Sequence, residues 1–389
     1  MGFCARLKRY SFCCFLSASI LKLANPFKAT GRCMELNKTQ MAAQPTSAMA
    51  EALTPIWERV LQHSPIGPDD NFFDLGGDSL SAVTLFLEVE KLCGRQLPSV
   101  MIYNTPTIAA LAAELEQPSP SRLPPLVLLR EGSAGAPVFI AHGLGGSVID
   151  FYRLLTHIQC ERTIYGMQAR GIDGLDEPFR SIQEMAQYHL EAIKKIQPHG
   201  PYTFVGYSLV GLVCLEVARC LREAGETVAL LTVLDAYPSR SLLSVSQRFQ
   251  LFLRMTLKRV GAAIGMSSEE TKSSTSEELR AQMSAGRRGV KLAQVAATTS
   301  MTPATARAAE MAREAIKRYR PSYYPGKMRF VRAAILTDFP ADPKAIWSSR
   351  VKEFESETVP GDHLGMIAKY PEQLGAVISR HLQEAAGSK

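Results

Sequence analysis

The sequence lacks the features that mark several protein classes. Its 389 residues hold only eight cysteines, and Cys93, Cys160, Cys214 and Cys220 stand singly in apolar stretches without CxxC spacing. That scatter excludes a disulfide framework and a zinc site and is typical of small buried apolar residues. No apolar run approaches the roughly 18 residues that cross a bilayer. The remaining composition, 46% hydrophobic and 21% charged, predicts an ordinary globular protein of two or three domains.

Acidic residues are absent from the first 33 residues, which carry six basic side chains and so account for six of the seven net positive charges. The body of the chain is therefore nearly neutral, which excludes the charge pattern of a nucleic-acid binder. A short apolar run at 11–21 is followed by Lys22 and Lys28 and by no small-residue cleavage site, unlike a secretory signal. We interpret residues 1–49 as an unstructured leader or an overextended start, with a docking or membrane-surface arm as the alternative.

Residues 50–117 are predicted to form a small all-α bundle. Apolar residues recur at helical spacing in TPIWERVLQ and again over 80–92, and Thr105-Pro106 begins a last helix, TIAALAAELE. Between the first two helices, DNFFDLGGDSL places Ser79 at a helix start after two glycines. A lone serine there would be an ordinary N-cap. The same position also suits a covalent phosphate, because free N–H groups and the helix dipole stabilise negative charge.

The complete string resembles the phosphopantetheine attachment site of acyl and peptidyl carrier domains, and the likeness extends over about residues 52–117. This resemblance implies a 4'-phosphopantetheine arm on Ser79 and a phosphopantetheinyl transferase as a partner. Asp78 would help to position the metal and CoA during that modification, or is a solvated carboxylate at a helix start. Phe72 and Phe73 are predicted to pack in the carrier core.

An α/β hydrolase is predicted over residues 126–389, after a Pro/Ser linker at 118–125. Apolar stretches typical of strands alternate there with helical patterns. The strands are expected at 137–142, 162–167, 202–207, 228–235 and 328–336, and the clearest helices at 181–196 and 208–224. Near-continuous apolar strands separated by helices predict a mostly parallel sheet covered on both faces.

The segment YTFVGYSLVG has the strand, sharp turn and helix of a nucleophile elbow. The turn would project the oxygen of Ser208, and the N–H of Leu209 would point at a developing oxyanion. The GxSxG pattern is incomplete, because Val210 occupies the position of the second glycine and Gly211 comes one residue later. A β-branched side chain there implies either local repacking or an impaired elbow.

A serine hydroxyl becomes a good nucleophile only when a base takes its proton and an acid orients that base. In this fold the acid and then the histidine follow the serine along the chain. Of the seven histidines only His363 and His381 follow Ser208. His363 lies in a glycine loop after a strand end and is the predicted base, whereas His381, in a helical C-terminal stretch, is expected at the surface.

The residues alone leave two candidate acids, Asp235 after VALLTVLD and Asp338 after RFVRAAIL, while Asp362 would point elsewhere. The segments FIAHGLGGSV, YGMQARGIDG, LLTVLDAYPS and VPGDHLGMI resemble the type I thioesterase domain that ends nonribosomal peptide and polyketide synthetases. The resemblance implies that Asp235 is the acid and that Gly143 or Leu144 supplies the second oxyanion N–H.

His142 precedes Ser208 in the chain and is interpreted as a structural residue of its loop. The same resemblance, which extends over about residues 126–384, implies a helical lid inserted at about 239–322. It also implies that the chain holds an acyl or peptidyl thioester on the arm and releases it through a Ser-His-Asp acyl-enzyme, by hydrolysis or by cyclisation. An upstream synthetase module or a discrete loading enzyme would supply the acyl group. Because CoA supplies the arm, we expect a cytoplasmic protein without nucleic-acid or membrane partners.

Two other functions remain open on the sequence. The first is acyl transfer to an external alcohol or amine. The second is a non-catalytic carrier platform whose hydrolase domain is degenerate, and Val210 is the feature that suggests it.

Overall fold

The computed structural model describes residues 47–94, 97–118, 121–144, 146, 148, 151–243, 245, 247–249, 251–253, 256, 302–335 and 342–387. Nearly all of the predicted leader lies outside the described residues. The central part of the predicted lid, at 257–301, and the candidate acid Asp338 lie outside them as well.

A helical unit comes first and matches the predicted bundle. Its elements are α1 (Ala48–Leu61), α2 (Ser79–Cys93), a 3₁₀ helix (Ser99–Tyr103) and α3 (Ile108–Leu115). Two of these helices begin at side-chain caps, because Ser47 accepts a hydrogen bond from the N–H of Ala50 and Thr107 accepts one from Ala110. Trp57 and Phe72 are fully buried and meet edge to face, with ring centroids 5.4 Å apart, in the core between the helices.

A seven-stranded sheet follows, in the order β1-β3-β2-β4-β5-β6-β7. All neighbouring strands run parallel except β1, which pairs antiparallel with β3. The strands are β1 (Leu126–Arg130), β2 (Val138–Ala141), β3 (Ile164–Met167), β4 (Tyr202–Tyr207), β5 (Val228–Leu234), β6 (Tyr324–Ala333) and β7 (Val351–Val359). The mostly parallel sheet is the predicted one, whereas the five predicted strand ranges include neither β1 nor β7.

Helices cover both faces of this sheet. They are α4 (Tyr152–Leu155), α5 (Ile182–Ile196), α6 (Ser208–Glu223), α7 (Pro303–Arg318), α8 (Lys344–Trp347), α9 (Gly365–Ala368) and α10 (Pro371–Gly387). Successive residues of β4 point to opposite faces, so Phe204 packs in the apolar cluster under α5 and α6 and Val205 in the cluster under α4, α9 and α10. In the described part of the chain, no helix has the length and apolar content needed to cross a membrane.

His381 corrects one expectation, because it is buried and not at the surface. The inner face of α10 carries Leu374, Ile378 and His381 against the sheet. The Nδ1 of His381 lies 3.1 Å from the Oγ1 of Thr232, and the Nε2 of His381 pairs with Glu357. Helical periodicity alone placed this residue at the surface, since the polar partners that make its burial tolerable come from β5 and β7.

The helical unit contacts the hydrolase through a small apolar cluster. Val100, from the 3₁₀ helix, is buried there with Val127, Ile172 and Ala308. The linker beside this cluster is held by hydrogen bonds: the N–H of Leu123 donates to Asp173 at 3.0 Å, and Gln168 donates from its side chain to the carbonyl of Pro124 and from its backbone to that of Pro125.

Candidate active site and carrier attachment site

Ser208 lies at the sharp turn between β4 and α6. Its φ of 56° is a left-handed value that a non-glycine residue adopts only under strain. The strand ends at Tyr207 and the helix begins at Ser208 itself. The chain thus forms the strained strand-to-helix turn that is typical of a nucleophile elbow.

The glycine contact behind this turn is made by Gly211. A Cβ on Gly211 would lie 2.9 Å from both the Cβ of Ala236 and the carbonyl oxygen of Gly206, and a Cβ on Gly206 would lie 2.6 Å from the Cα of Gly211. Helix and strand therefore touch backbone to backbone at this pair. Val210, the departure from the sequence pattern, does not occupy that contact; it is buried and lines a neighbouring pocket. The close contact is therefore made one residue later than the GxSxG pattern places it, and the effect of Val210 on catalysis stays a prediction.

The predicted nucleophile, base and acid meet at the carboxyl ends of three strands. The Nε2 of His363 lies 2.8 Å from the Oγ of Ser208, and its Nδ1 lies 2.7 Å from the Oδ2 of Asp235. His363 follows β7 and Asp235 follows β5, so their positions depend on the sheet and not on nearness in sequence. Among the described residues, Asp235 is the carboxylate that bonds His363.

Asp235 is itself fixed by the strand beside it. Its φ is 47°, its backbone N–H donates to the carbonyl of Val331 at 2.7 Å, and its Oδ1 accepts a weak bond from the N–H of Ala333 at 3.4 Å. The carboxylate is 9% exposed, whereas the side chain of His363 is 30% exposed. A buried acid beneath a partly exposed imidazole can hold the ring in one tautomer while its other nitrogen faces the serine.

Tyr207 is a residue of the site that the sequence analysis missed. Its ring stacks on the ring of His363 with centroids 5.0 Å apart, and its hydroxyl donates to the backbone carbonyl of His363 at 2.6 Å. The ring also packs on Gly143, where an added Cβ would lie 3.0 Å from it. The sequence shows an aromatic residue directly before the serine, but it does not show that this residue contacts His363, which lies 156 positions away.

The predicted oxyanion residues lie around the elbow. Leu209 is in the first turn of α6, whose N–H groups have no intrahelical partner by geometry, and Gly143 and Leu144 follow β2. All three line the same pocket. His142 is buried beside them, its Nδ1 bonds the carbonyl of Gly143, and burial lowers its pKa to about 4, so the ring is neutral at neutral pH.

That pocket surrounds a cavity of about 30 Å³ next to the elbow. Its described lining is largely apolar and includes Leu144, Phe179, Met185, Leu209, Val210 and Val213. Ala308 and Ala312 of α7, a helix within the predicted lid insertion, form part of its wall. The residue next to Ser208 in the chain, Leu209, therefore belongs to a largely apolar pocket wall.

Ser79 is the first residue of α2 and follows a turn that requires glycine. Gly76 has a φ of 88°, and a Cβ on Gly77 would lie 2.3 Å from the ring of Phe72. The exposed residues Asp74 and Gly76 precede the serine in this turn. A residue at the start of a fifteen-residue helix, next to an exposed turn, fits the attachment of a phosphate-linked arm.

Asp78, the other predicted residue of this site, caps the helix. Its Oδ1 accepts hydrogen bonds from the N–H and from the hydroxyl of Ser81, both at 2.8 Å, and its own N–H donates to the Oγ of Ser81 at 2.6 Å. Asp78 therefore caps the start of α2, and its role in positioning the metal and CoA stays a prediction.

Known families match both parts of the chain. Residues 136–383 match the family model described as Thioesterase domain, and residues 51–115 match the one described as Phosphopantetheine attachment site. The match to the first model covers more than half of the chain.

Among curated relatives, a dimodular nonribosomal peptide synthase of Bacillus subtilis (strain 168) is 39% identical over 199 residues, which are 51% of this chain and 8% of the relative. A protein of Paxillus involutus named inactive atromentin synthetase is 32% identical over 202 residues, 50% of this chain and 21% of the relative. The chain therefore corresponds to a small part of the length of these relatives.

The fold also matches a solved structure. A four-domain nonribosomal peptide synthetase bound to AMP and glycine aligns with 88% of this chain and 27% of its own length, with a TM-score of 0.52 and 22% identity. At that identity the likeness concerns the fold alone.

Proposed function

Since this chain belongs to the thioesterase domain family and also carries a phosphopantetheine attachment region, we propose that it releases a carrier-bound acyl or peptidyl group through an acyl-enzyme on Ser208. The cofactor of such a region is 4'-phosphopantetheine, attached covalently. When bound, this group would supply the thiol that carries the acyl group as a thioester. Ser79 is the proposed attachment residue, because it begins α2 directly after the exposed glycine turn.

The first step is the attack of Ser208 on the thioester carbonyl. The Oγ–H donates to the Nε2 of His363, and the Nδ1–H of His363 donates to Asp235. As the Oγ–carbon bond forms, the proton moves to Nε2, and Asp235 stabilises the resulting imidazolium. The oxyanion lies against the N–H of Leu209 and a second N–H from Gly143 or Leu144, donors that are typically worth about 2.7–4 kcal/mol each to the barrier.

The intermediate then collapses, the carbon–sulfur bond breaks, and His363 returns its proton to the leaving sulfur. The acyl group remains on Ser208 with its carbon chain in the apolar pocket beside Val210. His363 next takes a proton from water, or from an amine or hydroxyl of the acyl group itself, and that nucleophile releases a free acid or a ring. Exclusion of water from the pocket would favour the ring.

The carrier region implies a phosphopantetheinyl transferase and upstream synthetase modules as partners. The loading partner would place the acyl group on the arm before Ser208 acts, as an upstream module of the same assembly line or as a separate loading enzyme. The donor of the arm is CoA, so we place these steps in the cytoplasm.

The 2.8 and 2.7 Å contacts that join Ser208, His363 and Asp235 are the observation that carries this proposal. The test is intact-mass spectrometry of the pantetheinylated chain loaded with model acyl groups. We expect Ser79→Ala to block attachment of the arm, and Ser208→Ala to leave the acyl group on the arm without release. Release from Ser208→Ala at the wild-type rate would contradict the proposal.

A non-catalytic carrier platform is the second candidate, and Val210 in the elbow is the observation that favours it. A serine-reactive fluorophosphonate separates the two functions. Labelling of the wild type that is lost in Ser208→Ala supports the enzyme, whereas no labelling of the folded wild type supports the platform.

A further inference from the structure

Two buried histidines line the pocket next to the elbow and take no step in the proposed mechanism: His142, which bonds the carbonyl of Gly143, and His189. His189 lies in α5, is only 3% exposed, and lines the pocket. Most of its neighbours in the pocket wall are apolar. Arg170, which also contributes to the lining, pairs with Asp176 at 3.1 Å and lies over the ring of Phe179.

The two ring nitrogens of His189 have different surroundings. The ring lies beside the backbone carbonyl of Pro125, which favours a protonated nitrogen there, whereas its Nδ1 is buried and has no hydrogen-bond partner among the described residues. A carbonyl can only accept, so the nitrogen that faces Pro125, Nε2, carries the hydrogen. Burial, with a contribution from His142, lowers the pKa of His189 to about 3, and the ring is neutral at neutral pH. Its Nδ1 therefore keeps its lone pair.

An unpaired acceptor inside an apolar pocket is unfavourable until a donor reaches it. A site that holds such an acceptor discriminates strongly between a ligand that brings an O–H or N–H and the same ligand without it. We propose, on the basis of the thioesterase function proposed above, that the Nδ1 of His189 accepts a hydrogen bond from the acyl group. The substrate class is then an apolar acyl or peptidyl group that carries a hydroxyl or N–H donor within the pocket.

Two substitutions separate this recognition role from the bond to Pro125. His189→Gln keeps an N–H donor near the position of Nε2 and removes the acceptor at Nδ1. His189→Asn places an amide oxygen near the position of Nδ1 and loses the reach to Pro125. If His189 has only a structural role, His189→Asn should lower stability more than His189→Gln does. If His189 recognises the substrate, His189→Gln should reduce the preference for the hydroxylated substrate more than His189→Asn does.

The test uses the full chain and pantetheine thioesters of medium-length acyl groups, each with a hydroxyl at one of successive carbons and each paired with its deoxy analogue. The readout is the ratio of kcat/KM within each pair. For the hydroxyl position that reaches His189, we expect the wild type to favour the hydroxylated member by about tenfold, a typical effect of one buried hydrogen bond. The ratio should fall to near one in His189→Gln and remain above one in His189→Asn.

A wild-type ratio near one at every hydroxyl position, or an unchanged ratio in His189→Gln, would overturn the inference. Amide analogues of the same pairs, in which nitrogen replaces the thioester sulfur, measure binding without any reaction at Ser208. If the thioesters are not turned over but the amide pairs still differ in affinity and His189→Gln removes the difference, the proposed function fails and the recognition role stands. If turnover is normal and neither ratio depends on His189, the recognition role alone fails.

Discussion

Two residues of the candidate triad, Ser208 and Asp235, have left-handed backbone conformations, with φ values of 56° and 47°. Each such conformation costs a non-glycine residue on the order of 1–3 kcal/mol and persists only where the surroundings enforce it. Both residues directly follow parallel strands, β4 and β5, whose hydrogen bonds hold the chain up to the turn. The strain thus lies at the two positions whose side chains must meet His363.

Replacement of the acid tests the residue-scale geometry directly. We expect Asp235→Asn to lower kcat by about 10³–10⁴-fold, because an amide does not hold the ring tautomer and does not stabilise the imidazolium. The measurement is the release rate from an acyl-loaded carrier. The matched control is Asp362→Asn, next to His363 in sequence, since the Oδ1 of Asp362 accepts from the N–H of Gly365 and an amide oxygen can do the same. Equal losses in the two variants would contradict the assignment.

The buried histidines predict how stability depends on pH. The pKa of His142 is lowered to about 4 and that of His189 to about 3, both from an ordinary value of 6.5. Between about pH 6.5 and pH 4, these histidines bind protons in the unfolded chain but not in the folded chain. The stability that their neutral forms contribute is therefore fully present above this range and is lost as the pH falls through it. We expect the free energy of unfolding in urea to fall by about 1.4 kcal/mol per histidine between pH 6 and pH 5.

His189→Gln is the control for this pH effect. The variant has one buried histidine fewer. The slope of its unfolding free energy against pH should therefore be smaller than the wild-type slope by about 1.4 kcal/mol per pH unit over the same interval. An identical slope in the wild type and the variant would show that His189 is protonated in the folded protein.

At the scale of elements, the crossing of α6 over β4 depends on the backbone contact between Gly206 and Gly211. We expect Gly211→Ala to cost about 1–3 kcal/mol of stability, because the added Cβ must displace Ala236 or the backbone of the strand. The labelling rate with a fluorophosphonate should fall as well, since the same crossing supports Ser208.

Gly387→Ala is the matched control for that crossing. Gly387 is the last residue of α10, and among the described residues no heavy atom lies within 4 Å of a Cβ placed there. Urea unfolding and labelling should both stay near the wild-type values. A comparable loss of stability in the two variants would mean that the close contact at Gly211 is not the cause.

Elements formed by local patterns were predictable, and residues placed by distant partners were not. The strand and helix around Ser208, the order serine, acid and histidine along the chain, and α5 with its cap at Ser181 follow from apolar periodicity and cap residues near in sequence. The contact of Tyr207 with His363 and the burial of His381 depend on a loop and strands far away in the chain. β1 was not predicted, because it is short, half-exposed and paired antiparallel at the edge of the sheet.

At the scale of the whole molecule, the carrier unit contacts the hydrolase through Val100. This side chain is 2% exposed and packs in the cluster with Val127, Ile172 and Ala308, apart from the carrier's own core. Val100→Glu would bury a carboxylate without a partner, so we expect it to separate the two units. The measurement is the rate of trypsin cleavage after Arg122, whose side chain bonds Asp176 on the hydrolase. Cleavage should become faster in the variant.

Leu92→Glu is the control for this contact, since Leu92 lies on α2 of the same unit and is 44% exposed. Its cleavage rate should match the wild type, and enzymatic pantetheinylation should show that the carrier of both variants remains folded. An unchanged rate in Val100→Glu would mean that this cluster does not hold the units together.

The hydrogen bonds that fix the linker reduce the length of free chain between the carrier unit and the hydrolase. Leu123, Pro124 and Pro125 are bonded to the hydrolase, and Ser121 bonds Glu114 at the end of the carrier. Fully extended, the seven-residue stretch from Glu116 to Arg122 would span at most about 25 Å. On the proposed function, so short a linker would keep a carrier-bound acyl group at an effective concentration on the order of millimolar near the hydrolase. Each copy would then unload its own cargo far more often than that of a neighbouring copy.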